Sequence, residues 1–100
     1  MVMIHWLKCK IGVGQFTGEF AVSGVEFNGK GFSLFVPEDV LEFDGDPVGD
    51  ETVNGWLQVA VTGQQDQLLL VRLPRQTLEN GQSITVNQSQ VETRERCQEA

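Results

Sequence analysis

The chain has 100 residues, of which 40% are hydrophobic and 21% charged, and it carries a formal net charge of −7 at pH 7. This length supports one hydrophobic core, and no apolar run approaches the roughly 18 residues that a membrane-spanning helix needs. The acidic balance also disfavours nucleic acid and anionic membranes as partners. We therefore predict a single cytoplasmic domain that binds neither nucleic acid nor membrane.

The first part of the chain predicts β-strands. Apolar and polar residues alternate over residues 2–13, which is typical of a strand with one face on a core. Asn28-Gly29 then separates two further apolar runs and favours a two-residue hairpin turn. A turn of this length predicts that Val25 pairs with Phe32.

The strand before this turn predicts an irregularity. Val22 belongs to an apolar row at even positions, whereas Val25 belongs to one at odd positions. Because strand side chains alternate between the two faces of a sheet, both rows reach one face only if an extra residue separates them. We therefore predict a β-bulge at Ser23-Gly24.

The rest of the chain predicts more strands and little helix. A second hairpin joins two apolar alternations across a polar loop at residues 63–67, and Asn80-Gly81 turns the chain again. A short turn over residues 37–42 begins with a proline, which suits a first helical position. Residues 92–100 are polar with alternating charge, and we expect this tail to be disordered.

These elements predict an all-β domain over residues 1–91, followed by the tail. We expect about five to seven short antiparallel strands in a small barrel or a sandwich, and we favour a partly open SH3-like barrel. An offset of 37 residues superimposes Gly18 on Gly55 and Pro37 on Pro74. If this match reflects a true repeat, the domain consists of two β-hairpin repeats.

The residue inventory disfavours catalysis. His5 is the only histidine, and it is four positions from Cys9 along one strand, a distance of about 13 Å. A nucleophile and its base must lie within hydrogen-bond reach, which this spacing prevents. Cys9 and Cys97 are expected to be free thiols in a reducing compartment. We predict no catalytic residue, no enzyme activity and no cofactor.

The acidic segment over residues 38–51 offers oxygen ligands, the type that calcium prefers. In a helix-loop-helix calcium site that starts at Asp44, however, Val48 would stand at the fifth position and Gly55 at the twelfth, where a glutamate is required. We predict an exposed acidic loop without a metal. Its charge would attract a basic protein.

Residues 71–86 begin with Val-Arg-Leu-Pro and, after a short gap, continue with Glu-Asn-Gly-Gln-Ser-Ile-Thr-Val. This stretch resembles the strand, proline, turn and hairpin of the swapped-hairpin transcription regulators and antitoxins, and the resemblance implies a dimer that reads DNA. Only Arg72 and Arg75 supply basic charge there. We therefore interpret the likeness as shared strand-turn chemistry rather than kinship. A small nucleic-acid-binding regulator is an alternative function.

Several apolar residues occupy strand positions that should face water. Trp56, Leu68, Leu70 and Phe35 each lie on the face opposite the apolar row of their own strand. They are covered by a second sheet, or else they form an exposed patch of the kind that marks interfaces. We predict a non-catalytic protein-interaction or assembly module that uses these four residues and binds a basic protein or a second copy as a homodimer. An acidic inhibitor that occupies another protein's basic groove is a further alternative.

Overall fold

The computed structural model describes residues 2–45, 47–49, 51–79 and 81–96, and it shows an all-β chain. Single-turn 3₁₀ helices occur at Glu38–Val40 and Gln88–Gln90, and the described residues contain no helix long and apolar enough to cross a membrane. The strands are β1 (Val2–Val13), β2 (Glu19–Val25), β3 (Gly31–Pro37), β4 (Leu41–Phe43), β5 (Val53–Gln65), β6 (Leu68–Arg72), β7 (Ser83–Asn87) and β8 (Val91–Arg96).

All these strands belong to one antiparallel sheet that curls into a half-barrel. Its order is β3-β2-β1-β5-β6-β7, with β4 paired to β5 and β8 paired to β1. The long strands β1 and β5 lie side by side at the centre, where Leu7 faces Leu57. The hairpins β2-β3 and β6-β7 form two wings, one on each side of this pair.

The two wings are tied to each other by backbone hydrogen bonds. The amide of Phe27 donates to the carbonyl of Thr85 at 3.0 Å, and the amide of Leu78 donates to the carbonyl of Ser33 at 2.8 Å. The carboxylate of Glu79 also accepts bonds from the hydroxyl and the amide of Ser33, at 2.6 and 2.8 Å, and these bonds lower its pKa below the ordinary value. The half-barrel is therefore partly closed by its loops.

The core lies on the concave face of the sheet, between the wings. The alternation predicted for β1 is confirmed at Leu7, Cys9 and Ile11, which are buried, whereas Val13, at the end of the same row, is 53% exposed. The described residues include no buried polar or charged side chain. The core side chains are Leu7, Cys9, Ile11, Val22, Phe32, Leu34, Val36, Leu57, Val59, Leu69, Val71, Leu73, Ile84 and Val86.

The two halves of the chain follow the same order of elements, which is three strands, a 3₁₀ turn and a fourth strand. The pairing is repeated as well: Leu41 in β4 pairs with Leu57, and Val91 in β8 pairs with Leu7. A rotation that moves each half onto the other also moves the β4–β5 pair onto the β8–β1 pair. An approximate two-fold axis therefore passes between Leu7 and Leu57. Equivalent residues at this axis are 50 positions apart.

The predicted offset of 37 residues is not the one that relates the strands. It superimposes Gly18, which lies in a turn, on Gly55, which is buried within β5. It also superimposes Pro37, the last residue of β3, on Pro74, which lies beyond β6. Because apolar alternation has a period of two residues, strand patterns superimpose at many offsets, and these glycines and prolines matched by chance.

The first hairpin forms, but in a register one residue away from the prediction. Val25 pairs with Gly31 instead of Phe32, and the turn over residues 27–29 has three residues instead of two. Gly29 takes a φ of +84°, a left-handed conformation that suits the end of a three-residue turn. The Asn-Gly pair marks the turn correctly without fixing its length.

The predicted bulge at Ser23-Gly24 is wrong. β2 and β3 pair without interruption from Glu19 to Val25. Gly24 continues the inward-facing row, and a Cβ at this residue would lie 2.7 Å from the ring of Phe32. Val25 is 49% exposed. The inward row of β2 therefore stays at even positions, and its last member is a glycine because the ring of Phe32 from β3 occupies the space of a side chain there. No residue is inserted.

The later elements were predicted with less accurate boundaries. The second hairpin is confirmed, but β5 continues to Gln65 and the turn contains only Asp66 and Gln67. The short turn after Pro37 is confirmed as a 3₁₀ helix. β8 covers residues 91–96, so a strand includes much of the segment predicted to be a disordered tail, because β1 supplies a pairing partner. Residues 97–100 lie outside the described residues.

Candidate functional site

The convex side of the sheet, its outer face, carries aromatic and polar side chains at the centre. Even-numbered residues of β1 and β5 point away from the core, because strand side chains alternate. No second sheet covers this face within the described part of the chain. The central outer-face residues are Trp6, Lys8, Lys10, Asn54, Trp56 and Gln58.

Two half-buried tryptophans lie next to each other on the outer face. Trp6 faces Gln58 across the central strand pair, and Lys8 faces Trp56, so the two indoles are diagonal neighbours. The guanidinium carbon of Arg94 lies 5.7 Å from the ring centroid of Trp6 and 5.9 Å from that of Trp56. Both distances permit a cation–π attraction. Trp6, Trp56 and Arg94 form the tryptophan cluster.

The charge of Arg94 is balanced by two carboxylates. Its Nε donates to Glu92 at 2.8 Å, and its Nη1 donates to Glu42. The bonds to Glu92 and Glu42 raise the pKa of Arg94, and the bond from Arg94 lowers the pKa of Glu92. All three side chains reach solvent, so the ion pairs add little stability. Their effect is to hold the guanidinium over both indoles.

The four predicted contact residues do not form one patch. Trp56 lies in the tryptophan cluster. Leu70 is 43% exposed and faces Gly63, which is seven residues along β5 from Trp56, a separation of about 23 Å. Leu68 lies farther out on the same wing, and Phe35 belongs to the other wing. Of the four, only Trp56 therefore lies beside another aromatic residue, Trp6, at the centre.

Sequence reasoning missed the other two members of the cluster. The dipeptide Trp6-Leu7 recurs as Trp56-Leu57, and an offset of 50 residues would have identified both tryptophans as equivalent. Arg94 falls in the segment that was assigned to a tail. Its position on β8 depends on pairing with β1, which brings together residues from the two ends of the chain.

His5 and Cys9 do not form a nucleophile and base pair. The Nδ1 atom of His5 lies 2.8 Å from the hydroxyl oxygen of Thr93, whereas Cys9 belongs to the core and is 4% exposed. Burial raises the pKa of the Cys9 thiol from 9.0 to about 12. The thiol is therefore protonated at neutral pH, and only the thiolate is a good nucleophile.

The raised pKa of Cys9 predicts a pH dependence of stability. Above pH 9.0 the thiol ionises in the unfolded chain, while the buried thiol stays protonated up to about pH 12. Ionisation therefore favours unfolding, and the free energy of unfolding should fall as the pH rises through this window. In a Cys97→Ser background, Cys9→Val should remove the part of the decline that the thiol causes. Valine is chosen because Val59 occupies the equivalent position in the other half.

Urea denaturation at about pH 8 and about pH 10 measures the effect. All other ionisable groups are the same in both proteins, so the difference between them isolates the thiol. An identical decline with and without Cys9 would contradict the prediction.

The acidic segment over residues 38–51 is only partly described, because Asp46 and Asp50 lie outside the described residues. Within the described ranges, no three His, Cys, Asp or Glu side chains come close enough to hold a metal ion. An exposed acidic loop without calcium stays a prediction.

Two grooves border the central strands at equivalent places in the two halves. β2 pairs with β1 from Lys10 onwards and β8 pairs with it up to Leu7, so Lys8 lies in a gap between them. The gap opens into a first groove of about 680 Å³. A similar gap at Gln58, between β4 and β6, opens into a second groove of about 310 Å³.

No protein-family model, curated protein or solved structure matches the chain.

Proposed function

We propose that the protein is a non-catalytic interaction module that binds a partner protein through the tryptophan cluster. The observation that carries this proposal is the pair of neighbouring indoles on an uncovered sheet face, with one guanidinium held over both. Tryptophan and arginine are enriched among the residues that dominate binding energy. Because Arg94 is already oriented by Glu42 and Glu92, ordering it costs little on binding.

The charges around the cluster favour a partner with basic residues at the rim of its interface. The side chains of Glu42 and Glu92 are 51% and 46% exposed, and the whole chain carries a net charge of −7. A second copy would bring like charges together, whereas a basic protein would complement them. A basic partner is therefore favoured over the homodimer, which stays an alternative.

Affinity capture tests this proposal. Trp56→Ala should weaken partner binding by about 2 kcal/mol or more, about thirtyfold in Kd, as truncation of a dominant interface residue does. The wild-type protein serves as bait in an extract of the cells that produce it, and Kd is then measured for each purified binder. Sedimentation of both proteins reports any self-association.

Phe16→Ala is the matched control, because Phe16 is an aromatic residue that is 70% exposed and lies outside the tryptophan cluster. It should bind partners as the wild type does. Binders that do not distinguish Trp56→Ala from Phe16→Ala, or a complete absence of binders and self-association, would contradict the proposal.

A second candidate function is single-stranded nucleic-acid binding. Lys8 faces Trp56 across the strand pair and Lys10 follows on the same face, and base stacking on aromatic rings beside basic side chains is typical of such sites. The net charge of −7 opposes this function. Salt-sensitive quenching of tryptophan fluorescence by oligothymidylate would favour it over the protein partner.

Four more detailed predictions about the fold, the location and the activity are carried forward with this proposal. An SH3-like barrel, an origin in β-hairpin repeats and a cytoplasmic location stay predictions, as does the absence of catalysis. The acidic inhibitor of a basic groove differs from the interaction module only in its binding surface, which would be the acidic segment over residues 38–51.

A further inference from the structure

Polar side chains form a row across three strands beside the first groove. Lys10 in β1 pairs with Ser23 in β2 on one side and with Asn54 in β5 on the other, and all three line the groove. Directly opposed residues of antiparallel strands have Cβ atoms about 5 Å apart. Lys10 therefore stands between Ser23 and Asn54 in the sheet, and its ammonium group, the hydroxyl of Ser23 and the amide of Asn54 are all hydrogen-bond donors.

A second ammonium group lies next to this row. Lys8 is two residues from Lys10 on the same face of β1, about 7 Å away, and it lines the same groove. The only other lysine of the chain, Lys30, does not line it. Among the described lining residues Glu26 is the one acidic side chain. The groove therefore concentrates positive charge in a protein whose net charge is −7.

The second groove shows that the fold does not require these lysines. At the positions equivalent to Lys8 and Lys10 it has Gln58 and Ala60, and its basic residue is Arg72. Its volume of about 310 Å³ is less than half the 680 Å³ of the first groove. One of two equivalent places in the same sheet is therefore wider and carries two ammonium groups.

The wall of the first groove is fixed by Gln90. Its Nε2 donates to the carbonyl of Val25 at 2.8 Å, and its Oε1 accepts from the amide of Asn87 at 2.8 Å. The residue at the equivalent position of the second groove is Val40, which cannot make such bonds. Beyond this wall Phe27, 45% exposed, offers an apolar surface to a ligand.

We propose that the first groove binds a small organic oxyanion, a compound with a carboxylate or phosphate group, and that Lys8 and Lys10 are its charged donors. Ser23 and Asn54 supply neutral donors on either side of Lys10. The carboxylate of Glu26 disfavours densely charged polyanions, so the ligand carries one or two negative charges. This site is distinct from the tryptophan cluster, although Lys8 adjoins Trp56.

Amide chemical shifts of the full chain, followed by NMR, test the proposal. Sodium phosphate and sodium succinate are titrated separately, with chloride used to hold the ionic strength constant. We expect saturable shifts centred on residues 8–10, 23–25 and 54, with a Kd of the order of millimolar for these minimal probes. Saturation by phosphate alone or by succinate alone supports the site and identifies the group it prefers.

Lys10→Ala should raise the Kd about tenfold. Alanine already occupies the equivalent position in the second groove, at Ala60, so the strand should accept the change without unfolding. Lys30→Ala is the matched control, because it removes the same charge elsewhere, and it should change Kd by less than about twofold. Shifts that do not saturate, or that respond equally to both variants, would overturn the proposal. The titration needs no partner protein, so its result is independent of the proposed interaction.

Discussion

Gly55→Ala is expected to lower the free energy of unfolding by about 2 to 3 kcal/mol, because the added methyl group has no room. A Cβ at this residue would lie 2.4 Å from Cδ1 of Ile11 and 2.8 Å from the carbonyl oxygen of Glu42. The isoleucine can change its rotamer, but the carbonyl belongs to β4, which pairs with β5 at this point. The strands must separate locally, and urea denaturation followed by circular dichroism measures the loss.

Gly63→Ala is the matched control on the same strand. The atom nearest to a Cβ at residue 63 is Cβ of Leu70, at 3.6 Å, which is an ordinary contact. Because glycine within a strand costs about 0.5 to 1 kcal/mol relative to alanine, this change should be neutral or slightly stabilising. Equal losses at residues 55 and 63 would show that the close approach of β4 is not what requires a glycine.

Local periodicity explains what the sequence could predict. Leu7 and Ile11 were placed in the core by alternation alone, and Trp56 was placed on the opposite face for the same reason. The need for glycine at residue 55 could not be predicted, because it arises from a contact with a strand that is distant in sequence. Trp6 has the same local pattern as Trp56 and was missed because the equivalence of the two halves was not recognised.

The equivalence is hidden because the halves fill the same space with different residues. In the first half Gly24 leaves room that the ring of Phe32 fills from the paired strand. In the second half, Leu73 stands where the first half has Gly24, and its large side chain is 1% exposed. Its backbone amide donates to the carbonyl of Gln82, which stands where the first half has Phe32. The large side chain at this place comes from β3 in the first half and from the residue after β6 in the second half, so these positions do not match in sequence.

A one-residue change of offset conceals the structural equivalence of the two halves further. Leu34 and Ile84, in β3 and β7, are 50 positions apart, whereas their partners Val22 and Val71, in β2 and β6, are 49 apart. The pairing of β5 with β6 also shifts register between residues 61 and 63. No single offset aligns both halves completely, and only strand pairing reveals the two-fold arrangement.

Leu57→Ala is expected to lower the free energy of unfolding by about 3 to 5 kcal/mol, since Leu57 is fully buried at the two-fold axis and truncation leaves a cavity. Its neighbour Trp56 provides the comparison, because it lies on the outer face of the same strand. Trp56→Ala loses partial packing and one cation–π contact, which together should cost no more than about 1.5 kcal/mol.

Urea denaturation of the two variants, with Trp6 as the remaining fluorophore in Trp56→Ala, measures both effects. A loss in Trp56→Ala as large as that in Leu57→Ala would mean that the indole serves the core. The tryptophans would then be part of the packing that holds the fold together, and the cluster would no longer support an interaction module. A small loss combined with weakened partner binding is the result that the outer face predicts, because an interface residue stabilises the complex more than the free chain.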